Sequence, residues 1–197
     1  MENYLARALI LIIEVIFSSY IAILALRFLL QWVRANFYNP LTQVIVKLTN
    51  PLLLPLRRKI RGLAGLDMAS LILMLILQMV ELILIVLLKT YQLPNLLGIL
   101  ILASAHLIAL MVYVFFFAIL IEVIFSWVAL ASGSPYANNP LMELVHALTR
   151  PLIRPVQDYI PLLGGMIDVS PLVVVLILQL TLILLVSPLN DLGLWLL

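Results

Sequence analysis

The sequence predicts an all-α membrane protein with four transmembrane helices, arranged as two parallel copies of one span–elbow–span unit. Of its 197 residues, 65% are hydrophobic and 10% are charged, and the mean hydropathy is +1.26. Average globular chains are about half apolar and about a quarter charged. Several stretches exceed the ~18 apolar residues that mark a membrane-spanning helix. One motif also occurs twice, which indicates an internal duplication.

The duplicated motif reads Asn-Pro-Leu, then Leu-Thr-x-Pro-Leu-x-x-Pro, then an aspartate and a downstream glutamine. A Trp-Val pair precedes each copy, at residues 32–33 and 127–128. We assign the motif residues structural roles; they are Asn39, Pro40, Thr49, Pro51, Pro55 and Asp67 in the first copy and Asn139, Pro140, Thr149, Pro151, Pro155 and Asp168 in the second. The chain therefore divides into repeats at residues 1–93 and 94–197.

The four spans are predicted near residues 8–30, 69–88, 107–130 and 171–186. The first apolar run is too long for a cleaved signal peptide and is predicted to remain as a span. Two spans in the third apolar region would need about 40 residues and a turn, so residues 96–105 are predicted as a separate interfacial segment. Ser187-Pro188 is expected to stop the fourth span, with residues 192–197 in the outer interface.

Basic residues predict the orientation. Those of the two long connections are Arg34, Lys47, Arg57, Arg58, Lys59, Arg61, Arg150 and Arg154, whereas the other end offers only Arg7 and Lys89. Because cytoplasmic loops carry the excess of Lys and Arg, the long connections are expected in the cytoplasm and both termini outside. A five-span arrangement would invert the halves and place the second basic connection outside.

Each long connection contains a predicted amphipathic elbow, at residues 39–60 and 139–160. Asn39 suits a helix N-cap and Pro40 the first helical position. An apolar stripe follows at i, i+3, i+4 and i+7 spacing. The prolines are expected to break each elbow into two short helices, and Asp67 or Asp168 to cap the next span. Two interpretations stay open: the elbows lie on or dip into an anionic lipid surface, or they pack beneath the spans as a plug.

Ionisable residues inside spans are functional candidates by default; here they are Glu14, Arg27, Glu81 and Glu122. Glu14 and Glu81 are expected at similar depth, where they form a cation or proton site or else serve as snorkelling and hydrogen-bonding groups. Arg27 and Glu122 occupy matching positions and predict an ion pair between the halves; the alternative is that Arg27 snorkels to lipid phosphate. Gln78 and Gln179 are expected to form hydrogen bonds across helices.

Catalytic and metal chemistry receive no support from the sequence. The absence of cysteine excludes disulfides, thiolate metal sites and covalent haem attachment. His106 and His146 are expected at different levels of the membrane, which argues against a two-histidine haem. No phosphate-binding loop or nucleophile–base spacing occurs. We therefore predict a non-enzyme without metal or cofactor, and no nucleic-acid partner.

The motif, together with its Trp-Val pair and the Asp-x-x-x-apolar start of the next span, resembles the YGGT repeat of the YggT/YlmG family of bacterial and plastid membrane proteins. The resemblance covers both halves, near residues 27–78 and 122–179. It implies a four-span protein of the bacterial inner membrane, without catalytic residues. Its relatives are linked to osmotic stress and ion homeostasis, to envelope or division functions, and in plastids to haem attachment and nucleoid partitioning.

These observations favour a non-catalytic membrane factor for envelope, osmotic-stress or ion homeostasis, or for assembly of membrane complexes. Its elbows are expected to contact the bilayer, anionic lipid headgroups, membrane-protein partners or a second copy. The alternative is a small oligomeric channel or transporter that uses the intramembrane carboxylates. A third hypothesis, a cofactor-assembly factor, comes only from the plastid relatives.

Overall fold

A computed structural model describes residues 4–60, 62, 66–132, 139–159 and 168–197. Every regular element in these ranges is helical. The elements are α1 (Tyr4–Trp32), α2 (Pro40–Lys59), α3 (Met68–Thr90), α4 (Leu96–Ser132), α5 (Pro140–Tyr159), α6 (Ser170–Thr181), a π-helical turn (Leu182–Val186) and α7 (Ser187–Trp195). The predicted all-α class is confirmed.

Within the described ranges, four helices are long and apolar enough to cross a membrane: Tyr4–Trp32, Met68–Thr90, Leu96–Ala129 and Ser170–Trp195. They correspond to the four predicted spans. The separate interfacial segment at residues 96–105 is wrong, because α4 runs without interruption for 37 residues. At 1.5 Å per residue this helix is about 55 Å long, well beyond the ~30 Å hydrocarbon core.

The fourth span also continues past the point where the sequence predicts a stop. Residues 182–186 form a π-helical turn whose wider spacing accommodates Pro188, which lacks a backbone N–H. The Ser187 backbone N–H bonds the Leu182 carbonyl, and the Ser187 hydroxyl donates to the same oxygen at 3.2 Å. The segment 192–197 is therefore mostly helix α7 packed on α4, so the predicted stop at Ser187-Pro188 is wrong, and the place of this segment in the outer interface stays a prediction.

Each elbow is one helix of 20 residues that contains both of its prolines, so the predicted break at Pro51 or Pro151 is wrong. Side chains hold the turn that precedes the proline. The Thr49 hydroxyl donates to the Ile45 carbonyl oxygen at 2.7 Å, and Thr149 does the same to Val145 at 3.0 Å. Such side-chain bonds are one way in which membrane helices tolerate proline. The helix starts match prediction, since Asn39 and Asn139 accept hydrogen bonds from the backbone N–H of Leu41 and Leu141.

The four spans pack as a bundle with α1 against α3, α3 against α4, and α4 against both α6 and α7. One apolar core joins spans and elbows; it includes Leu24, Leu30, Leu53, Met74, Ile119 and Leu148. The first turns of α2 and α5 contact each other through Asn39 and Glu143. Both elbow helices therefore lie at the same end of the bundle.

Candidate functional site: the elbow layer and an intramembrane groove

The apolar stripes of the two elbow helices differ in exposure at their middle positions, whereas Leu41 and Leu141 at their start are both 39% exposed. In α2, Val44 and Leu48 are 54% and 51% exposed. In α5, the equivalent Leu144 and Leu148 are 6% and 5% exposed because they pack into the core. The plug interpretation thus describes α5, whereas α2 keeps an apolar face that no part of the described chain covers.

A charge pair ties the end of α2 to the beginning of α3. Arg57 forms an ion pair and hydrogen bond with Asp67 and also donates to the Gln31 side-chain oxygen at 3.0 Å. Asp67 is the N-cap of α3 and accepts from Ser70. Burial alone raises the pKa of Asp67, but the bonds from Arg57 and Ser70 outweigh it and hold that pKa below its ordinary value.

The second half repeats this link without the positive charge. Gln157 donates to the Asp168 carboxylate at 2.6 Å, and the Ser170 backbone N–H donates to it at 2.9 Å. Asp168 precedes the capping residue Val169, yet its side chain binds the first N–H of α6 as a cap would. Burial raises the pKa of Asp168, and the bonds from Ser170 and Gln157 lower it by more.

Arg27 is a buried cation of α1 that binds the first elbow. Its side chain is held by Thr49, by the Asn50 side-chain oxygen at 2.9 Å and by the Val46 carbonyl oxygen at 3.1 Å. Arg27 is 5% exposed. It therefore donates hydrogen bonds to oxygen atoms of the turn before Pro51 instead of snorkelling to lipid.

Glu122, the matching residue of α4, binds the second elbow. Nδ1 of His146 lies 2.7 Å from Oε1 of Glu122. The predicted ion pair between Arg27 and Glu122 is wrong, because each side chain is directed to the elbow helix of its own half. His106 lies sixteen residues from Glu122 along α4, about 24 Å at 1.5 Å per residue, so the two histidines are far apart.

A polar contact joins the two elbows to each other. Asn39 donates to Oε2 of Glu143 at 2.7 Å and to the Pro140 carbonyl oxygen at 2.8 Å, and Asn36 donates to Oε1 of Glu143 at 2.9 Å. The hydrogen bonds from Asn36 and Asn39 hold the pKa of Glu143 below its ordinary value. Sequence reasoning missed Asn36 and Glu143, because nothing in their local pattern reports a contact about one hundred residues away. It also did not predict that His146 contacts Glu122.

At the other end of the bundle, a groove of about 550 Å³ opens between α1, α3 and α4. Its polar lining consists of Glu14, Ser18, Gln78, Glu81, Lys89, His106 and Tyr113. Glu81 is 3% exposed and accepts from Ser18 at 2.9 Å and from Gln78 at 3.0 Å. Glu81 is thus level with Ser18, one helical turn from Glu14, or about 6 Å. The groove brings Glu14 and Glu81 together, whereas Glu122 of α4 lies outside it and contacts His146 of the second elbow.

The two mid-span glutamines depart from their predicted contacts. Gln78 donates to Glu81 of its own helix, so it supports that carboxylate and forms no bond to another span in the described chain. Gln179 is exposed on α6, and its side chain has no hydrogen-bond partner among the described residues. The expected hydrogen bonds across helices are therefore wrong for both, because the first amide is taken by a nearer acceptor and the second faces outward.

The remaining basic candidates are mostly exposed. Arg58 and Lys59 at the end of α2, and Arg150 and Arg154 on α5, are exposed, whereas Arg57 is half-buried in its pair with Asp67. Arg61 lies outside the described residues. Over the ranges that the structure covers, no three His, Asp or Glu side chains are grouped so that they could hold a metal ion.

Comparison with known proteins agrees with this architecture. The family profile described as CCB3/YggT matches residues 6–88 and 101–189. The chain belongs to the CCB3/YggT family. It is 44% identical over 174 residues to the uncharacterized protein PA0392 of Pseudomonas aeruginosa, covering 88% of this chain and 85% of the relative. It is 34% identical over 169 residues to the uncharacterized protein YggT of Escherichia coli K12, covering 85% and 83%. No solved structure matches the chain.

In this CCB3/YggT protein, the repeated motif places a buried threonine and two exposed prolines on each elbow helix. Thr49 and Thr149 are fully buried, and each bonds the carbonyl oxygen four residues earlier. Pro51, Pro55, Pro151 and Pro155 are exposed on the elbow helices. The motif therefore acts in the architecture of the elbow layer, at the end of the bundle opposite the intramembrane groove.

Proposed function

We propose that this protein is a non-catalytic factor of the bacterial inner membrane that acts through its elbow layer in envelope, osmotic-stress or ion homeostasis or in the assembly of membrane complexes. One observation carries the proposal: Val44 and Leu48 of α2 are exposed, while the equivalent Leu144 and Leu148 of α5 are buried in the bundle. The second elbow thereby anchors the layer, and the first offers a surface. The stripe consists of Leu41, Val44, Leu48 and Leu52, which are 39% to 54% exposed.

Lipid is the occupant that this face fits best. The stripe continues to Arg58 and Lys59, which are exposed at the end of α2. An apolar face joined to basic side chains is the composition of helices that lie in an anionic lipid surface, and each basic residue near such a surface contributes about 1 kcal/mol. A membrane-protein partner or a second copy of the chain is the alternative occupant.

The orientation follows from the same residues. Both elbow helices lie at one end of the bundle and carry most of the lysine and arginine of the chain, so we assign that end to the cytoplasm. A single cysteine at Arg58 should then react with a membrane-impermeant maleimide only in inverted vesicles. One at Tyr91, at the end of α3, should react in intact spheroplasts. The reverse pattern would overturn the assignment.

The lack of native cysteine permits a direct test of the lipid contact. Spin labels at Leu48→Cys and Leu148→Cys compare equivalent positions of the two elbows. In anionic vesicles, we expect the label at 48 to be accessible to oxygen and shielded from a water-soluble nickel chelate. The label at 148 should be immobile and shielded from both.

Replacement of the basic residues at the end of α2 distinguishes a lipid contact of the stripe from a protein contact. With R58Q/K59Q in the Leu48→Cys chain, the label at 48 should become more accessible to the nickel chelate, and high salt should act in the same direction. A label at 48 that is water-exposed in vesicles, or immobile and insensitive to lipid charge, would overturn the lipid contact.

A second candidate function is cation or proton movement, favoured by the groove that holds Glu14 and Glu81. Ionisable residues in spans mark ion and proton paths in many transporters. Four spans offer little interior volume, so this function would need an oligomer. E81Q should abolish flux of protons or monovalent cations into protein-containing liposomes, with E122Q as the matched carboxylate outside the groove. Equal flux in E81Q and the unaltered protein would remove this candidate.

A further inference from the structure

A second groove, of about 730 Å³, lies at the elbow end between the connection at residues 33–36 and the outward face of α5. The α5 residues that line it are spaced three or four positions apart, which places them on one side of the helix. They are Glu143, Ala147, Arg150, Pro151, Arg154, Pro155, Asp158 and Tyr159. The groove is thus built from both halves of the chain and lies away from the exposed stripe of α2.

Three arginines line this groove without a partner of their own. Arg150 and Arg154 are one turn apart on α5, and Arg34 faces them from the connection. Arg34 adopts the left-handed backbone conformation, with φ 54°, which non-glycine residues rarely do. Within the described chain, none of the three side chains forms a hydrogen bond or an ion pair.

Two carboxylates also line the groove, and only one of them is engaged in hydrogen bonds within the described chain. Glu143 has both oxygens engaged by Asn36 and Asn39, so it belongs to the contact between the elbows. Asp158 lies one turn beyond Arg154 at one end of the groove. The three guanidinium groups therefore exceed the opposing charge, and their donors are free to bind an anion.

The chemistry of these donors selects phosphate. The planar guanidinium group donates two parallel hydrogen bonds to phosphate oxygens, and several arginines around one anion are typical of phosphate recognition. The groove exceeds the size of a phosphate group alone, and its walls include apolar side chains that suit an attached organic group. These are Val33, Ala35, Ala147, Pro151 and Pro155.

We propose that this groove is a binding site for an organic phosphate, held by Arg34, Arg150 and Arg154. The phosphate is that of a phospholipid headgroup or of a soluble organophosphate, and both sources present the same oxygens to the arginines. The site does not depend on the attachment of α2 to lipid, because no residue of the α2 stripe lines it.

The test uses the full chain purified in detergent. In one arm, native mass spectrometry counts molecules of phosphatidylglycerol, and separately of phosphatidylcholine, that stay bound. In the other arm, titration calorimetry measures binding of glycerol 3-phosphate and of inorganic phosphate. Whichever ligand binds, R150Q/R154Q should weaken its binding by about tenfold or more, because both of these guanidinium donors are removed.

Two further variants keep the result interpretable. R150K/R154K keeps the positive charge of the groove but removes the planar two-hydrogen-bond donors, and it should weaken binding nearly as much as R150Q/R154Q. D158N removes the opposing carboxylate and should tighten binding several-fold, which damage to the fold would not do. Retention of phosphatidylglycerol identifies a headgroup site, and binding of glycerol 3-phosphate without retention of phosphatidylglycerol identifies a soluble ligand.

The proposal is overturned if neither arm shows saturable binding. Full binding in R150K/R154K would also overturn it, because binding would then reflect only the charge of the elbow layer. A loss of the α2 lipid contact in R58Q/K59Q with intact phosphate binding would separate this site from the proposed function.

Discussion

Asn39 at the start of one elbow helix donates a 2.7 Å hydrogen bond to Glu143 in the first turn of the other. Asn36 binds the second oxygen of the same carboxylate. The bonded residues belong to different halves of the chain, so this contact fixes the elbow helices relative to each other. The elbow layer consequently behaves as one unit instead of two independent connections.

Replacement of Glu143 by glutamine should loosen this unit. A glutamine side chain has one acceptor oxygen in place of two, so one asparagine loses its partner. We expect E143Q to lower the thermal midpoint of the detergent-solubilised protein. The matched control is D158N, an exposed carboxyl of the same helix without a hydrogen-bond partner in the described chain, which should leave the midpoint unchanged. Equal midpoints for E143Q and the unaltered protein would contradict the role of this contact.

The Arg57–Asp67 pair should contribute more to the free energy of unfolding than the exposed Arg58 beside it. Asp67 is buried, and removal of Arg57 leaves its carboxylate without a counter-charge. R57Q should reduce the free energy of unfolding by about 2 kcal/mol. R58Q, one residue along and exposed, should change it by less than about 0.5 kcal/mol. Denaturation of both variants under identical detergent conditions measures the difference, and equal losses would rule out the pair as the cause.

Acid should weaken the same link. The pKa of Asp67 is lowered in the folded protein, so its carboxylate stabilises the fold above the ordinary aspartate pKa of about 3.9. That stabilisation is lost as the pH falls below this value towards the folded pKa. Thermal midpoints measured from pH 6 to pH 3 should therefore fall, and the fall should be smaller in D67N. An identical acid response in D67N would show that other groups dominate.

Local patterns account for what the sequence predicts well. The apolar runs define four spans because length and hydropathy alone decide insertion, and Asn39-Pro40 and Asn139-Pro140 define the elbow starts because capping is local. The helices continue past Pro51 and Pro188, with Thr49 bonded to the Ile45 carbonyl oxygen in one case and a π-helical turn at residues 182–186 in the other. A rule that treats proline as a helix stop does not include such local adjustments. The opposite exposure of Leu48 and Leu148 arises from their neighbours in three dimensions, since their own sequence pattern is the same.

Close packing of α4 and α7 gives a test of the extended fourth span. A Cβ atom at Gly193 would lie 2.6 Å from Cγ of Leu102, and one at Gly98 would lie 3.1 Å from the Gly193 carbonyl oxygen. G193A should thus force the helices apart and lower the unfolding free energy by about 1–3 kcal/mol. L194A, at a 61% exposed neighbour, is the control and should cost much less. Unchanged stability of G193A would mean that α7 does not pack on α4 in the membrane.

Arg27 and Glu122 supply the last prediction, because each binds its own elbow. Arg27 holds the turn before Pro51 through Thr49 and Asn50, and Glu122 contacts His146. Arg27→Glu should destabilise the protein by several kcal/mol, on the order of the 3–5 kcal/mol for loss of a buried charged partner. Glu122→Arg should cost less, since His146 is largely exposed.

Since the two sites share no partner, the double swap should equal the sum of the single variants within about 0.5 kcal/mol. Unfolding of the four proteins in one detergent completes the cycle. Recovery of stability in the double variant would instead reveal a direct pair between the halves and would contradict the separate anchoring of the two elbows.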